Sequence, residues 1–434
     1  REALGGYLPA RPVDPPLMDV PTFDEYRKMI ERDYNKTIST TMGFVRLLSR
    51  LCRDKKIGKN IVPIVPDESR TFGMEGMFNE VGIYSHVGQL YEPVDAGQLT
   101  PYKEATDGQL LEEGISEAGS LASFTAAGTA YAAHGVNMIP FYIYYSMFGF
   151  QRVGDSIWAA ADMGAKGFLI GGTAGRTTLN GEGLQHQDGH SLLNASAFPF
   201  VRAYDPSFHY ETAVIIFHGL QRLYEEGDTA IYYLMAENQN YEMPPMPEGV
   251  EELIVRGIYK FRTVEASGPN TVQLFGSGAI MQCVLRAQEI LAERYNITSH
   301  AWSATSYTEL ARDAHATKRW NRLHPGAKKP LKSYLATALE GAEGPIIAAS
   351  DYVRAYMEQI REFLPNEYLV LGTDGLGRSD TRETLRRHFE VDAESIVIAT
   401  LDRLAHQGKL KFTEVAKAIK ELDYDPDKIF PLHA

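Results

Sequence analysis

The run Gly114–Gly119, with the sequence GISEAG, opens a small and apolar stretch that extends to residue 131. This stretch predicts a buried helix, because small residues that let a neighbour pack closely recur at helical spacing: Gly119, Ala122 and Ala126. Its single carboxylate is Glu117, a candidate functional residue, since a buried glutamate needs a partner and a carboxyl in a dry site tends to share a proton with a ligand. The alternative is an exposed acid that stabilises the start of a helix.

Alternating strand and helix patterns surround this helix. Strands are predicted at residues 60–66, 138–145, 167–172, 213–217 and 231–235, and helices at 23–36, 41–52 and 156–165. Either Ser39 or Thr40 can cap the second of these helices. Such alternation favours a mostly parallel sheet with helices on both faces.

A proline-rich segment, Met243–Gly249, interrupts the pattern because its three prolines and glycine cannot continue a helix or a strand. After it the alternation restarts, with strands predicted at residues 271–275, 345–349 and 368–371 and a last helix at 413–422. The sequence therefore predicts an α/β fold in which a linker (residues 1–20) precedes two domains, at residues 21–246 and 247–434.

Composition narrows the function classes. The net charge of −13 argues against nucleic acid as a partner, since phosphate binding needs clustered cations. The sequence has two cysteines, Cys52 and Cys283, so we expect no disulfide framework. So few cysteines also fit a protein of the reducing cytoplasm. We expect no membrane contact, because no apolar run is long enough to cross a bilayer, and no metal site of the Cys/His type.

Two further stretches carry a family resemblance: Pro140–Arg152 (PFYIYYSMFGFQR) and Gly181–Ser191 (GEGLQHQDGHS). With the Glu117 run, they resemble the pyrimidine-binding and C-terminal domains of the thiamine diphosphate-dependent pyruvate dehydrogenase component, in its homodimeric bacterial form. The likeness covers nearly all of the chain. It implies two consecutive transketolase-like α/β domains, with mostly parallel sheets covered by helices.

The resemblance also implies cofactor-binding roles. Glu117 matches the family glutamate that hydrogen-bonds a pyrimidine nitrogen of thiamine diphosphate, and a carboxyl suits that role because it can share a proton with a weakly basic ring nitrogen. Phe148 matches the residue that stacks on the pyrimidine. Ile115 is a candidate wedge between the two cofactor rings, with a core position as its alternative.

Two more matches concern the substrate side. Tyr145 fits a residue that donates a hydrogen bond to a carboxylate or carbonyl, although the aromatic run around it also fits a core strand. His186 resembles the active-site histidine, and histidine suits proton transfer near neutral pH. Glu182 and Glu68 are further candidates near the cofactor, and Glu68 pairs equally well with Arg70 as a structural contact.

One family motif is absent. The family anchors Mg²⁺ and the diphosphate through a Gly-Asp-Gly motif in an N-terminal domain, and no Gly-Asp-Gly occurs here. We therefore expect this chain to be the C-terminal portion of the enzyme, holding the pyrimidine end of the cofactor. The glycine-rich runs Gly276–Gly278 and Leu371–Ser379 are interpreted as structural turns, since no lysine or full phosphate fingerprint follows them.

By resemblance, the expected function is the oxidative decarboxylation of pyruvate, with transfer of the acetyl group to lipoyl groups of the acetyltransferase component. A homodimer and that acetyltransferase are the expected partners. The long loop Val87–Lys103 is expected to order over the bound intermediate. The alternatives are a ketol transferase of the transketolase type and a non-catalytic assembly subunit.

Overall fold

The computed structural model describes residues 16–66, 69–179 and 183–434. Its helices are Phe23–Glu31 (α1), Thr40–Leu51 (α2), Gly76–Glu80 (α3), Glu117–Gly128 (α4), Ala130–His134 (α5), Phe150–Asp162 (α6), Ser191–Ser196 (α7), His209–Leu220 (α8), Glu251–Arg256 (α9), Met281–Tyr295 (α10), Tyr307–Leu323 (α11), Tyr334–Ala338 (α12), Arg354–Glu358 (α13), Arg382–Phe389 (α14), Ala393–His406 (α15) and Phe412–Glu421 (α16). Single 3₁₀ turns include Ser146–Phe148, Leu184–His186 and Gly278–Ile280.

The strands are Thr37–Ile38 (β1), Ile61–Val65 (β2), Ile83–Tyr84 (β3), Glu104–Ala105 (β4), Leu111–Glu112 (β5), Ile139–Tyr145 (β6), Gly167–Gly172 (β7), Val201–Tyr204 (β8), Ile231–Met235 (β9), Tyr241–Glu242 (β10), Tyr259–Val264 (β11), Thr271–Gly276 (β12), Thr298–Ser303 (β13), Ile346–Ala349 (β14) and Tyr368–Leu371 (β15). They form two large sheets and two small two-stranded ones.

The first large sheet has the strand order β5-β2-β6-β7-β9-β8, and every neighbouring pair in it is parallel. Its central strands β2, β6, β7 and β9 are almost wholly buried, as apolar strands covered on both faces must be. The carboxyl ends of β6 and β7 lie side by side, with Tyr145 opposite Gly172. Ligands of parallel sheets collect at this edge.

The second sheet has the order β11-β13-β12-β14-β15 and is parallel except for the pair β11–β13. Apolar side chains of both sheets share two continuous cores. Tyr232 of β9 and Leu274 of β12 belong to one core, and Tyr233 and Phe275 to the other. The predicted mostly parallel α/β architecture is confirmed.

Three predicted elements differ from the structure. The first helix ends at Glu31 rather than Lys36, since the chain turns at Asn35, whose φ is +60°. Residues 213–217 (AVIIF) lie inside helix α8, where apolar side chains are buried on every side, so no helical period is visible in the sequence. The helix predicted at 156–165 begins earlier, at Phe150, and ends at Asp162. Strands β8, β11 and β13 were not predicted. Of the two candidate caps, Ser39 caps α2, accepting a hydrogen bond from the Met42 amide at 3.1 Å.

Candidate active site

An aromatic cluster lies at the carboxyl end of β6. Tyr145 is the last residue of the strand, and Phe148 ends the 3₁₀ turn that follows it. The His186 ring lies parallel to Tyr145, with 4.9 Å between centroids, and nearly perpendicular to Phe148 at 5.2 Å. The fold thus brings together three residues that the sequence analysis selected from two separate stretches.

Glu117 is the first residue of α4, and only 7% of it is exposed. The helix starts here because Gly114 turns the chain with φ +74° and Ser116 caps the helix, its Oγ accepting from the Gly119 amide at 3.1 Å. Each of the two interpretations drawn from the sequence is right in one respect. Glu117 is buried, as expected of a functional acid, and it also starts a helix, as expected of the alternative.

Arg152 connects Glu117 with the aromatic cluster. Its Nη1 lies 3.0 Å from Glu117 Oε2, and its guanidinium lies 4.3 Å from the centroid of the Phe148 ring. The sequence analysis gave Arg152 no role. The sequence did contain a signal for the Arg152–Phe148 contact. The two residues are four positions apart near the start of a helix, and residues so spaced meet on a helix surface.

The loop that carries His186 is held by its buried neighbours. Asp188 is fully buried, and its Oδ1 accepts hydrogen bonds from the amides of His190 and Ser191, each at 3.0 Å. Gln187 reaches the second domain, where its Nε2 donates to the Arg378 carbonyl and its Oε1 accepts from the Arg378 amide, both at 2.6 Å. The position of His186 therefore depends on contacts from both domains.

Arg176 provides a second connection between the domains. Its Nη1 donates to the carbonyls of Thr373 and Gly375, and its Nη2 lies 3.5 Å from His190 Nδ1. A side chain at Gly189 would collide with this guanidinium, since a Cβ there would lie 2.6 Å from Arg176 Cζ. Burial lowers the pKa of Arg176, and the charge of Asp188 opposes that shift.

The run Leu371–Ser379 is the segment of the second domain that meets these two residues. Asp374 pairs with Arg354 at 3.0 Å, and the backbone around it accepts from Arg176. The run is thus a structural turn that supports the His186 loop within the same chain.

Three predicted site residues remain: Ile115, Glu68 and Glu182. Ile115 is 75% exposed, so it is not a core residue, and its role as a wedge stays a prediction. Glu68 and Glu182 lie outside the described residues. Arg70 pairs with Asp95 and donates to the Thr100 carbonyl at 3.0 Å.

Those contacts of Arg70 fasten the segment Val87–Lys103, which holds no helix or strand. The segment exposes several apolar side chains: Val87, Leu90, Tyr91, Val94 and Leu99. Its Asp95 also accepts from the Tyr102 amide at 3.0 Å. So many exposed apolar side chains on one loop indicate that another surface covers them in the working protein.

A pair of carboxyls lies buried where the first domain meets Gly278 of the second. Asp205 and Glu237, which follow β8 and β9, both face Gly278 of the second domain, where a Cβ would lie 2.9 Å from Asp205 Oδ1 and 2.7 Å from Glu237 Oε1. Burial raises the pKa of Asp205 to about 7. Burial and then the charge of Asp205 raise the pKa of Glu237. Two acids at the glycine-rich turn Gly276–Gly278 argue against phosphate there, in agreement with its interpretation as structural.

Searches of the described residues for other kinds of site gave two findings. No three or more His, Cys, Asp or Glu side chains in residues 16–66, 69–179 and 183–434 come together as ligands for a metal ion. Within the same ranges, no helix combines the length and apolarity that a membrane crossing requires.

Comparison with known families gave two matches. Residues 18–244 match the model of the pyruvate dehydrogenase E1 component middle domain, and residues 257–392 match that of the transketolase-like C-terminal domain. The predicted domain bounds at 21–246 and 247–434 stay a prediction beside these ranges.

Curated relatives agree with the first match. The pyruvate dehydrogenase E1 component of Cupriavidus necator is 53% identical over 434 residues, which are 100% of this chain and 48% of the relative. That of Pseudomonas aeruginosa is 52% identical over 433 residues, covering 100% of this chain and 49% of the relative. The chain thus spans about half the length of the curated relatives it matches.

Solved structures confirm the transketolase-like fold. The transketolase of Leishmania mexicana superposes with a TM-score of 0.62 at 16% identity, over 85% of this chain and 46% of the other. At that identity the likeness concerns the fold alone. Since the middle-domain model spans more than half of the residues and agrees with the resemblance seen in the sequence, this chain belongs to the pyruvate dehydrogenase E1 component family.

Proposed function

We propose that this chain supplies the pyrimidine side of a thiamine diphosphate site that decarboxylates pyruvate oxidatively and passes the acetyl group to a lipoyl group. The observation that carries the proposal is the corner formed by Glu117, Arg152 and Phe148 beside His186. Family membership and relatives named pyruvate dehydrogenase E1 component support the choice of reaction.

The residues of this corner fit the pyrimidine ring of the cofactor. A flat, nitrogen-bearing group, the Arg152 guanidinium, already stacks on Phe148 and hydrogen-bonds the Glu117 carboxyl. An aminopyrimidine offers the same two features, a flat face and ring nitrogens. Phe148 would hold the face and Glu117 would hold a ring nitrogen.

When bound, thiamine diphosphate supplies the carbanion-stabilising chemistry of the reaction. Glu117 holds a proton at its carboxyl, shared with the ring nitrogen. Because Glu117 is the first residue of α4, the backbone of that helix start would set where the proton is shared. Phe148 would hold the face of the ring beside this carboxyl.

Tyr145 and His186 act on the substrate side. Their stacked rings fix each other's orientation, and the Asp188 and Gln187 contacts fix the loop that carries His186. His186 would exchange a proton with the reacting carbonyl, and the Tyr145 hydroxyl would donate to the pyruvate carboxylate. The segment Val87–Lys103 would cover the site and exclude water, burying its apolar side chains as it does so.

The corner at Glu117 accounts for the pyrimidine ring only, so the diphosphate and its Mg²⁺ need a separate assignment. We assign them to a second, diphosphate-binding half, in line with relatives about twice as long as this chain. Glu68, Glu182 and Ile115 remain proposed contacts of the cofactor.

A homodimer and a lipoyl acetyltransferase are the proposed partners, and the cytoplasm is the proposed location. Helix α4 exposes Ala118, Ala122 and Ala126 along one side, where a second copy can approach closely. Cys52 and Cys283 are unbonded, as a reducing compartment requires. The fold likeness to transketolases does not by itself favour a ketol transferase.

The test is carbon dioxide release from pyruvate, with thiamine diphosphate and Mg²⁺. The chain alone is expected to give none, and adding a diphosphate-binding half from a close relative is expected to restore it. Phosphorylated-sugar turnover without pyruvate decarboxylation by the assembled halves would overturn the proposal.

A further inference from the structure

Helices α1 and α2 lie side by side and run in opposite directions. The Tyr26 hydroxyl in α1 donates to Asp54 Oδ2, just after α2, at 2.7 Å, whereas Arg46 in α2 pairs with Asp33, just after α1, at 2.6 Å. The two helices and residues 53–56 line a groove of about 980 Å³. We call it the cationic groove, because eight of its thirteen lining residues are lysine or arginine and three are aspartate or glutamate.

The fold leaves part of this positive charge unpaired. Each of the three acids already has a partner in the fold: Asp33 has Lys36 and Arg46, Glu25 has Lys56, and Asp54 has the Tyr26 hydroxyl. Four exposed cations of the groove make no ion pair with any residue in the part of the chain that the structure describes: Lys28, Arg32, Arg50 and Lys55. The described fold therefore does not neutralise these four charges.

The unpaired cations are spread along the groove rather than gathered at one point. Lys28 and Arg32 are one helical turn apart at the end of α1, while Arg50 lies in the last turn of α2 and Lys55 follows that helix. Positions one turn apart are neighbours on a helix surface. A small anion reaches one or two such charges, whereas a chain segment with several carboxylates reaches more of them, and arginine binds a carboxylate through two parallel hydrogen bonds.

The charge of the whole chain limits the length of the ligand. Its net charge is −13, opposite in sign to the groove, so a long polyanion such as nucleic acid would meet repulsion beyond the groove. A short acidic segment stays within it. We propose that the cationic groove docks a short acidic segment of a partner protein, whose carboxylates lie about one helical turn apart and pair with the four unpaired cations. This docking is separate from the proposed reaction.

The experiment measures binding by fluorescence anisotropy. The probe is a labelled peptide of about 16 residues, roughly four helical turns, with glutamate at every fourth position, and its control peptide has glutamine at those positions. The double variant Arg32→Gln with Arg50→Gln removes two unpaired cations. Arg319→Gln with Arg322→Gln is the matched control, because it removes two exposed cations of α11 outside the groove and changes the net charge equally. Unfolding midpoints verify that every protein is folded.

The wild type is expected to bind the glutamate peptide at least about 10-fold more tightly than the glutamine peptide, and less tightly as salt is raised. The groove variant should lose about 3- to 30-fold in affinity, and the α11 variant should lose none. An equal loss in both variants, or equal binding of the two peptides, would overturn the inference. So would tighter binding of inorganic triphosphate or a DNA oligonucleotide at the same residues.

The measurements are repeated on the chain assembled with its diphosphate-binding half. Binding that persists there supports the inference, whereas binding that is lost on assembly would show that this half covers the groove and would overturn it. Decarboxylation by the assembled halves should be the same in the wild type and both variants. The inference can therefore fail while the proposed function stands.

Discussion

The buried acid at the start of α4 and the acid pair at Gly278 both place carboxyl groups out of water, but their surroundings differ. Glu117 meets a cation, Arg152, whose own side chain is half exposed. Asp205 and Glu237 are sealed between two domains and face a glycine. A buried carboxyl must be paired or neutralised. Glu117 is paired with a cation, whereas burial raises the pKa of both carboxyls at the second site.

Under the proposed function, this difference separates an acid that binds a ligand from a pair of structural acids. An acid paired with a half-exposed cation lies close to a route by which a ligand can arrive from solvent. An acid pair that no ligand can reach can only gain or lose a proton. Such a change alters the stability of the contact between the two domains. The predictions below test each side of this contrast.

The largest effect is expected from Glu117→Gln. The amide keeps the shape of the side chain but cannot share a proton, so decarboxylation by the assembled halves should fall by about 10²- to 10⁴-fold. Steady-state turnover of pyruvate measures the loss. Glu113→Gln is the control, since Glu113 lies four residues earlier and accepts from Ser123, and it should retain activity.

Asp205→Asn should change how stability depends on pH. The pKa of Asp205 is raised to about 7, against about 3.9 in an unfolded chain, so the folded state holds a proton that the unfolded state has lost. The stabilisation is fully present below about pH 4 and is lost as pH rises through about 7.

The wild type should therefore lose about 2–3 kcal/mol relative to Asp205→Asn between pH 5 and pH 8, measured by urea unfolding. The neighbouring charges act in both directions on this pair: Asp351, Glu211 and Asp188 raise the pKa of Asp205, and Arg386 lowers that of Glu237. Parallel pH curves for the two proteins would show that the pair does not retain a proton.

Gly278→Ala should destabilise the joint between the domains. The new Cβ would press on both carboxyls from a backbone with φ +51°, at an expected cost of about 1–3 kcal/mol beyond backbone strain. Gly249→Ala isolates that strain, because Gly249 has φ +73° and open space around it. Equal unfolding free energies for the two variants would contradict the contact.

The smallest effect is expected from Gln187→Leu, which removes the bridge from the His186 loop to Arg378. Losing these buried hydrogen bonds should raise amide exchange in residues 183–190 about 5- to 30-fold. Gln288→Leu is the control, since Gln288 is equally buried but donates to Ser299 within the second domain. A similar increase in both variants would point to general destabilisation.

Much of the fold could be predicted from the sequence because apolar strands and helical periods are local signals. Tyr145 ends one strand and Phe148 lies in the turn directly after it, so their proximity was predictable as well. The errors have physical causes: α8 is buried on nearly every side, so its apolar run shows no helical period. The bridge from Gln187 to Arg378 joins residues 191 positions apart, which no local pattern reveals.

Arg152 shows the limit most clearly. It stands inside the quoted aromatic stretch, yet its contact with Glu117 depends on how α4 packs beside α6. Family resemblance supplied roles for Glu117, Phe148 and His186, whereas the contact that links the first two came only from the fold.

The most direct test of the central claim is the exchange of the thiazolium C2 proton of bound thiamine diphosphate for deuterium, followed by NMR after rapid quenching. The wild-type chain, assembled with its diphosphate-binding half, should accelerate this exchange, and Glu117→Gln should slow it at least about 100-fold. Equal exchange rates in the two proteins would contradict the assignment of Glu117 to the cofactor ring.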